Sequence, residues 1–268
     1  MIKMIATDMD GTFLRDDKTY DYERFVKLLE ELERRDIKFV IASGNQYRQL
    51  RLNFPEFDSR LTYVAENGSH IVDKSETIIE QFIERQTALD LIDYIQQSYP
   101  QALITLAGKV SSYMLKSADP EKVAILRQYL PKLTFLDSYS LLPADHIFKI
   151  TLLVKEEQTQ EVMDKIAEIF AQDQLTGTSS GFGCIDVITT GMHKGWGLSY
   201  LLDYWKLTPE NLMAFGDGGN DIEMLKLASA SYVMDNAPAP IKNYGQPAPS
   251  NNEDGVLEVI ENYLQNLS

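Results

Sequence analysis

The chain has 268 residues, which is enough for one large domain or two modest domains with cores of their own. Forty acidic and 25 basic side chains give a net charge of −15, which repels nucleic acid and anionic membranes. No apolar run approaches the length of a membrane span, and no secretory signal is expected at the N-terminus. The single cysteine, Cys184, cannot form an internal disulfide, so we expect a cytoplasmic protein.

The first predicted strand ends in a pair of acids. Residues 3–7 are mostly apolar, and Asp8 and Asp10 follow, with Gly11 as a turn residue. Open α/β sheets bind ligands at the carboxyl ends of their strands, and two neighbouring carboxylates there favour a bound cation. One carboxylate is then available as a nucleophile, as in enzymes that form an aspartyl phosphate. For this pair alone, a solvated acidic turn is the alternative.

The following elements alternate between helix and strand. Apolar residues at helical spacing predict a helix over residues 22–35, and apolar runs predict strands at 37–42 and 62–65. A further helix is predicted from about residue 46. This order indicates a parallel sheet with right-handed crossovers.

The middle of the chain has a different pattern. Between residues 83 and 189, predicted helices mix with strands that are adjacent in sequence, including a hairpin at Gly108-Lys109. This mixture predicts an antiparallel sheet with helices on one face. We therefore expect a core domain of residues 1–82 and 190–268, with residues 83–189 inserted as a second, α+β domain.

A second acidic loop appears where the parallel pattern resumes. An apolar strand at residues 212–215 ends at Gly216, after which come Asp217 and Asp221. Glycines permit a tight turn, and carboxylates are the hard oxygen ligands that Mg²⁺ prefers. An acidic, glycine-rich surface turn is the alternative.

Two further stretches offer groups that bind phosphate. Ser43 and Gly44 follow the second strand, where a hydroxyl and backbone amides can donate hydrogen bonds to phosphate oxygens, unless Ser43 is only a helix N-cap. Lys194 begins a predicted helix, where a cation is unfavourable for the helix dipole. An anion beside Lys194 explains that position; a solvated lysine is the alternative.

In their order, these motifs resemble those of the haloacid dehalogenase-type phosphohydrolases, and the large insert resembles the α/β cap of the Cof-type branch. The resemblance covers the whole chain and implies a Rossmann-like parallel-sheet core with an inserted cap that sets substrate specificity. The matching residues are Asp8-Met9-Asp10-Gly11-Thr12, Ser43, Lys194 and Gly216-Asp217-Gly218-Gly219-Asn220-Asp221.

The resemblance also implies a role for each motif residue. Asp8 attacks the phosphorus, Asp10 protonates the leaving oxygen and then activates water, and Ser43 and Lys194 bind the transferring phosphoryl group. Mg²⁺ is held by Asp8, the Asp10 backbone carbonyl and Asp217, with Asp221 close by. The implied phosphate- and substrate-binding residues in the core are Gly11, Thr12, Ser43, Gly44, Asn45, Lys194 and Asn220.

In the insert, Phe182 and Asp186 are candidates for contact with the leaving group. A packed hairpin residue and a surface acid are the respective alternatives. The chain departs from the family at Asn45, because an arginine commonly follows the glycine there; the segment from Ser43 to Tyr47 instead resembles a branch that acts on sugar phosphates.

We therefore expect a magnesium-dependent phosphatase of small phosphorylated metabolites, with sugar phosphates as the favoured class. A phosphomutase of the same superfamily and a non-catalytic phospho-acceptor module are the alternatives. The expected partner is a small phosphorylated molecule, without nucleic acid or membrane, and the expected state is a monomer or a weak homo-oligomer.

Overall fold

The computed structural model describes residues 1–127, 130–181 and 183–267. The chain divides into two compact units, a first unit of residues 1–79 with the chain from residue 193 onward, and a second unit of residues 80–192. The predicted division of labour between them, catalysis in one and substrate selection in the other, stays a prediction.

The first unit begins with the predicted alternation of strand and helix. Asp21 caps the first helix by accepting the Arg24 N–H at 3.0 Å, and the helix buries Phe25 and Leu29 on one face. Its elements up to the insert are β1 (Met4–Thr7), α1 (Tyr22–Arg34), β2 (Lys38–Ala42), α2 (Tyr47–Asn53), β3 (Thr62–Ala65), β4 (His70–Asp73) and β5 (Glu76–Glu80).

The second unit and the return to the first follow in chain order. The second unit contains α3 (Arg85–Ser98), β6 (Leu103–Gly108), β7 (Ser112–Leu115), α4 (Pro120–Arg127), β8 (Leu133–Leu136), β9 (Ile147–Leu153), α5 (Thr159–Ile169), β10 (Leu175–Gly181) and β11 (Cys184–Thr189). The first unit is completed by α6 (Lys194–Tyr204), β12 (Leu212–Gly216), α7 (Ile222–Leu227), β13 (Ala230–Met234), β14 (Gln246–Ala248) and α8 (Gly255–Gln265).

The sheet of the first unit has the strand order β14-β13-β12-β1-β2-β3-β4-β5. The strands from β14 to β3 are parallel, and β4 runs antiparallel to β3. The edge strand β14 was not predicted; it contains Pro247, which an edge position tolerates. In the centre of the sheet, Thr7 of β1 lies opposite Ile41 of β2 and Phe215 of β12. The carboxyl ends of these three strands are therefore neighbours.

Both faces of the central strands β12, β1, β2 and β3 are buried, which explains why these strands are nearly continuous apolar runs. Ile5 of β1 packs into a core with α1 and α8, whereas its neighbours Met4 and Ala6 pack into a second core with α6 and α7. The predicted fold class, a parallel-sheet α/β core with an inserted α+β region, is confirmed. Within the described residues, no helix combines the length and the hydropathy needed to cross a membrane.

The second unit differs from its prediction in two respects. Its sheet has the order β10-β11-β9-β6-β7-β8, and β8 pairs in parallel with β7, whereas the other pairs are antiparallel. The helix α4 does not share the face of α3 and α5. Its Val123 packs with Leu103 and Met114, whose neighbours along the strands, Ile104 and Tyr113, belong to the other face. The helical connection between β7 and β8 permits the parallel pairing, because a crossover reverses the chain twice.

A close contact between α6 and β3 sets the position of the start of α6. A Cβ atom on Gly197 would lie only 2.4 Å from Cγ1 of Val64. Lys194 is one turn earlier on the same helix, so the absence of a side chain at Gly197 lets Lys194 approach the ends of the strands.

We expect Gly197→Ala to lower the free energy of unfolding by about 1–3 kcal/mol, because the added methyl group overpacks this contact. In the background of Val64→Ala, the same substitution should cost clearly less, which urea denaturation of the four proteins of this cycle measures. An equal cost in both backgrounds would show that the contact with Val64 is not the cause.

Candidate active site

The strand order brings three sequence motifs to one edge of the sheet. Asp8 follows β1, Ser43 follows β2 and Asp217 follows β12, and β1 lies between the other two strands. The Asp8 N–H donates to the backbone carbonyl of Phe215 at 3.1 Å, which continues the pairing of β1 and β12 into the motif. Motifs separated by up to about 200 positions in the chain are thus adjacent in space, as expected at the carboxyl ends of a parallel sheet.

Lys194 joins these motifs through a buried ion-pair network. Its side chain is fully buried, and its Nζ donates to Asp8 Oδ1 and to Asp221 Oδ1, both at 2.6 Å. The helix start that presents it is capped by His193, whose Nδ1 accepts the Trp196 N–H at 3.1 Å. A buried ammonium requires such partners, because its desolvation is otherwise far too costly. The unfavourable position of Lys194 at a helix N-terminus is therefore offset by two carboxylates.

Asp221 is fully buried, and both of its carboxylate oxygens accept hydrogen bonds. Oδ1 accepts from Lys194, and Oδ2 accepts the backbone N–H groups of Asp217 at 3.0 Å and Gly218 at 2.8 Å. Asp221 therefore fixes both the acidic loop and the lysine.

Three carboxylates in this cluster could hold a metal ion. Oxygen atoms of Asp8, Asp217 and Asp221 all lie within 4.8 Å of one another. Within the described part of the chain, Asp8 Oδ2 and Asp217 Oδ2 accept no hydrogen bond, whereas Asp217 Oδ1 accepts from the Thr12 hydroxyl at 2.7 Å. When all of these groups are ionised, the three carboxylates and the ammonium carry a net charge of two negative charges, and oxygen donors suit Mg²⁺. The residues present therefore fit a divalent cation.

The crowding of these acids changes their proton affinity. Burial raises the pKa of Asp8 to about 7 against the opposing effect of Lys194, and the charges of Asp221 and Asp217 raise it further. Burial also raises the pKa of Asp217, with Asp221 adding to the effect. For Lys194, burial alone would lower the pKa, but Asp221 and Asp8 outweigh it and hold the pKa above its usual value. The lysine is thus a permanent cation, and a bound divalent cation would favour the ionised form of both acids.

Two features of the structure require glycine at position 11. Its φ is +81°, in the left-handed region, and a Cβ atom there would lie 2.5 Å from Asp217 Oδ2. Any other residue would therefore strain the turn after β1 and displace the oxygen of Asp217 that accepts no hydrogen bond.

The carboxylate of Asp10 makes different contacts from that of Asp8. Its Oδ1 accepts from Lys18 Nζ at 2.7 Å, and its Oδ2 accepts from Asn45 Nδ2 at 2.7 Å. Its side chain is 41% exposed, whereas that of Asp8 is 10% exposed. The two acids of the first motif therefore differ in burial and in partners, which is a physical basis for different chemical roles.

Ser43 and Gly44 belong to the loop after β2, whose Asn45 contacts Asp10. Ser43 is buried, and its hydroxyl oxygen accepts the Asn45 N–H at 3.1 Å. The Ser43 carbonyl accepts the Asn67 N–H at 3.0 Å, and a Cβ on Gly44 would lie 3.1 Å from Asn67 Oδ1. The segment after β3 thus packs against the Ser43–Gly44 loop.

The remaining predicted residues are Asn220, Asp186 and Phe182. Asn220 is exposed, and its side chain makes no hydrogen bond to the described residues. Asp186 lies on β11 in the second unit, where it accepts from Thr151 at 2.7 Å and from Lys149 at 3.1 Å. Phe182 lies outside the described residues.

Sequence reasoning missed several residues that contact the site. Lys18 reaches Asp10, and Asn236 donates to the Gly11 carbonyl at 2.8 Å. Asn67, which follows β3, contacts Ser43 and Gly44. No local pattern marks Lys18, because it reaches Asp10 only when the turn after β1 folds back. Ser250 and Glu253 form a capping box in the loop before α8, and the N–H of Asn251 in this loop donates to Asn236 Oδ1 at 3.1 Å.

We expect Lys194→Met to lower the free energy of unfolding by about 3–5 kcal/mol, because it leaves buried carboxylates without their cation. Urea denaturation in EDTA measures this, since a bound metal ion would hide part of the loss. The matched control is Lys38→Met, which removes a half-exposed lysine paired with Asp36 at 2.9 Å and should change stability little. Equal stability of the two variants would contradict the importance of the buried network.

Comparison with known proteins agrees with this geometry. The model of a family described as haloacid dehalogenase-like hydrolase matches residues 5–260. A 5-amino-6-(5-phospho-D-ribitylamino)uracil phosphatase of Escherichia coli (strain K12) is 37% identical over 265 residues, covering 98% of this chain and 97% of that protein. A phosphatase of the same name from Bacillus subtilis (strain 168) is 26% identical over 266 residues, covering 97% of each chain.

Among solved structures, a protein of Streptococcus mutans UA159 is 49% identical and superposes with a TM-score of 0.92, covering 99% of this chain and 100% of its own. The relatives and the match to the family model agree with the motifs at the strand ends. The chain belongs to the haloacid dehalogenase-like hydrolase family and is an enzyme of its phosphatase class.

Proposed function

We propose that this protein is a magnesium-dependent phosphatase that hydrolyses small phosphate monoesters through a phosphorylated Asp8. The main observation in support of this proposal is the hydrogen bonding of the Asp8 carboxylate. One of its oxygens is held by buried Lys194 at 2.6 Å, while the other accepts no hydrogen bond from the described residues. A carboxylate held in this way has a fixed orientation and one oxygen available to attack phosphorus.

In the first step, Asp8 Oδ2 forms a bond to phosphorus as the bond between phosphorus and the leaving oxygen breaks. Asp10 gives its proton to that oxygen, which departs as an alcohol. In the second step, water attacks the phosphorus of the aspartyl phosphate, Asp10 takes a proton from the water, and inorganic phosphate leaves Asp8. After the two steps together, Asp8 is again a free carboxylate and Asp10 is again protonated.

The other site residues balance the charge of the phosphoryl group. Lys194 offers a permanent positive charge beside Asp8, and the Ser43 hydroxyl is a donor for the phosphoryl oxygens. Mg²⁺ held by Asp8 and Asp217, with the Asp10 carbonyl, would neutralise charge on the phosphoryl oxygens during transfer. These residues supply the positive field that a chain of net charge −15 needs to bind an anion.

For the substrate, we propose a phosphate ester at the end of a polyhydroxylated chain. Relatives from two bacteria are named for 5-amino-6-(5-phospho-D-ribitylamino)uracil, in which the phosphate is carried by a ribityl chain. This compound shares the alkyl phosphate and neighbouring hydroxyl groups of the sugar phosphates that the sequence favours. We further propose that the second unit selects the leaving group, with Asp186 as a candidate residue.

We expect phosphate release from para-nitrophenyl phosphate to require Mg²⁺ and to fall at least about a thousandfold in Asp8→Asn, because the nucleophile is lost. EDTA should abolish the activity and added Mg²⁺ should restore it. The matched control is Asp203→Asn, an exposed residue of α6, which should behave as the unchanged protein. In Asp10→Ala, mass spectrometry should detect phosphorylated Asp8, because hydrolysis of the intermediate is slowed. Undiminished turnover in Asp8→Asn would refute the mechanism.

We expect kcat/KM for 5-amino-6-(5-phospho-D-ribitylamino)uracil to exceed that for para-nitrophenyl phosphate by about a hundredfold, because specific contacts with the leaving group stabilise the transition state. The kcat/KM values for a panel of hexose phosphates and nucleotides, measured by phosphate release, show whether this compound is preferred over other substrates. Phosphate recovered on a second sugar instead of in solution would indicate a phosphomutase. Equal kcat/KM across the panel would reject the substrate proposal and leave the mechanism standing.

A further inference from the structure

Two donors from different parts of the chain hold the Asp10 carboxylate. Lys18 lies in the turn after β1 and binds Oδ1, whereas Asn45 follows β2 and binds Oδ2. A carboxylate with one donor can still rotate about its Cβ–Cγ bond. Donors on both oxygens fix the plane of the group as well as its direction.

The turn that carries Lys18 is built to present it. The Lys18 N–H donates to the Arg15 carbonyl and the Arg15 N–H to the Thr19 carbonyl, both at 2.9 Å. Lys18 itself has a φ of 66°, a left-handed conformation that lysine seldom adopts. The backbone of this turn therefore follows from its hydrogen bonds rather than from the preference of Lys18.

Residues near the C-terminus of the chain hold this turn in place. Asp16 accepts from Asn251 at 3.0 Å and from Asn252 at 2.9 Å, and Arg15 forms an ion pair with Asp254. These contacts join positions more than 230 residues apart in sequence. The position of Lys18 relative to Asp10 is therefore set by tertiary structure on both sides.

The ion pair itself is poorly suited to stabilising the fold. The side chain of Lys18 is 58% exposed and that of Asp10 is 41% exposed, and ion pairs at such positions contribute little to stability. Tertiary contacts of Arg15 and Asp16 thus hold the turn that places Lys18 beside Asp10, although the ion pair contributes little to stability. An effect of Lys18 on Asp10 is the better explanation of this placement.

We propose that Lys18 is a positioning residue for Asp10. Its ammonium, together with the Asn45 carboxamide, orients the carboxyl group that delivers a proton to the leaving oxygen. The inference rests on the proposed function, because it assigns Asp10 the role of proton carrier. Small errors in the placement of such a group slow the reaction strongly.

The choice of substrate separates positioning from a merely structural effect. An alkoxide is a poor leaving group and depends on proton delivery, whereas para-nitrophenolate leaves without much help from an acid. The parameter kcat/KM covers the steps up to departure of the alcohol, so it reports proton delivery without the later hydrolysis. A loss of orientation at Asp10 should therefore affect alkyl phosphates more than aryl phosphates, whereas damage to the fold would affect both alike.

The experiment compares Lys18→Met, Lys18→Arg and the control Lys38→Met with the unchanged protein, using glycerol phosphate and para-nitrophenyl phosphate. We expect Lys18→Met to lower kcat/KM about tenfold for the alkyl ester and less than about twofold for the aryl ester. Lys18→Arg should retain most of the activity, since it keeps a donor and a positive charge. Lys38→Met should match the unchanged protein on both substrates, and thermal unfolding should show all four to be folded.

The proposal is overturned if Lys18→Met leaves both values unchanged, lowers both equally, or is no worse than Lys18→Arg. Failure of the proposed function is distinguishable, because the unchanged protein would then release no phosphate from either ester or Asp10→Ala would keep its full kcat/KM for the alkyl ester. A protein that is active, sensitive to Asp10→Ala and indifferent to Lys18→Met would reject only the role of Lys18.

Discussion

The burial of one ammonium group, that of Lys194, organises the first unit. Its two hydrogen bonds reach Asp8, 186 positions away, and Asp221, 27 positions away, so they tie together chain segments on both sides of the insert. Neither the lysine nor Asp221 is stable in that position without the other, because a buried charge needs a compensating partner. Lys194 binds one oxygen of Asp8, and the other oxygen accepts no hydrogen bond from the described residues. The buried lysine therefore contributes both to the stability of the fold and to the chemistry of Asp8.

The charges at the site explain how an acidic protein can bind an anionic substrate. The chain carries a net charge of −15, and the cluster itself has an excess of carboxylates over cations. That excess keeps Lys194 protonated and makes a divalent cation the natural complement of the cluster. Binding of phosphate then depends on a few charges at short range rather than on the overall field of the protein.

Much of the fold could be predicted because its signals are local. Apolar runs and helical spacing indicate the alternating strands and helices of the core, and a loop such as Gly216–Asp221 marks the end of a strand by its glycines. The parallel pairing of β7 with β8 and the placement of α4 on the opposite face could not be predicted in this way. They depend on which strands meet, and local patterns carry no information on that choice.

From the sequence, one can read which chemical groups are available and that Asp8, Ser43 and Asp217 follow strands. Their partners depend on the fold. Because β1 lies between β2 and β12, the three motifs meet at one edge of the sheet, and the close approach at Gly197 brings Lys194 to them. The two acids of the first motif, alike in sequence, differ because one faces the buried Lys194 and the other faces Lys18 and Asn45. The physical reason is that burial and hydrogen bonding act between neighbours in space, and only the folded chain establishes those neighbours.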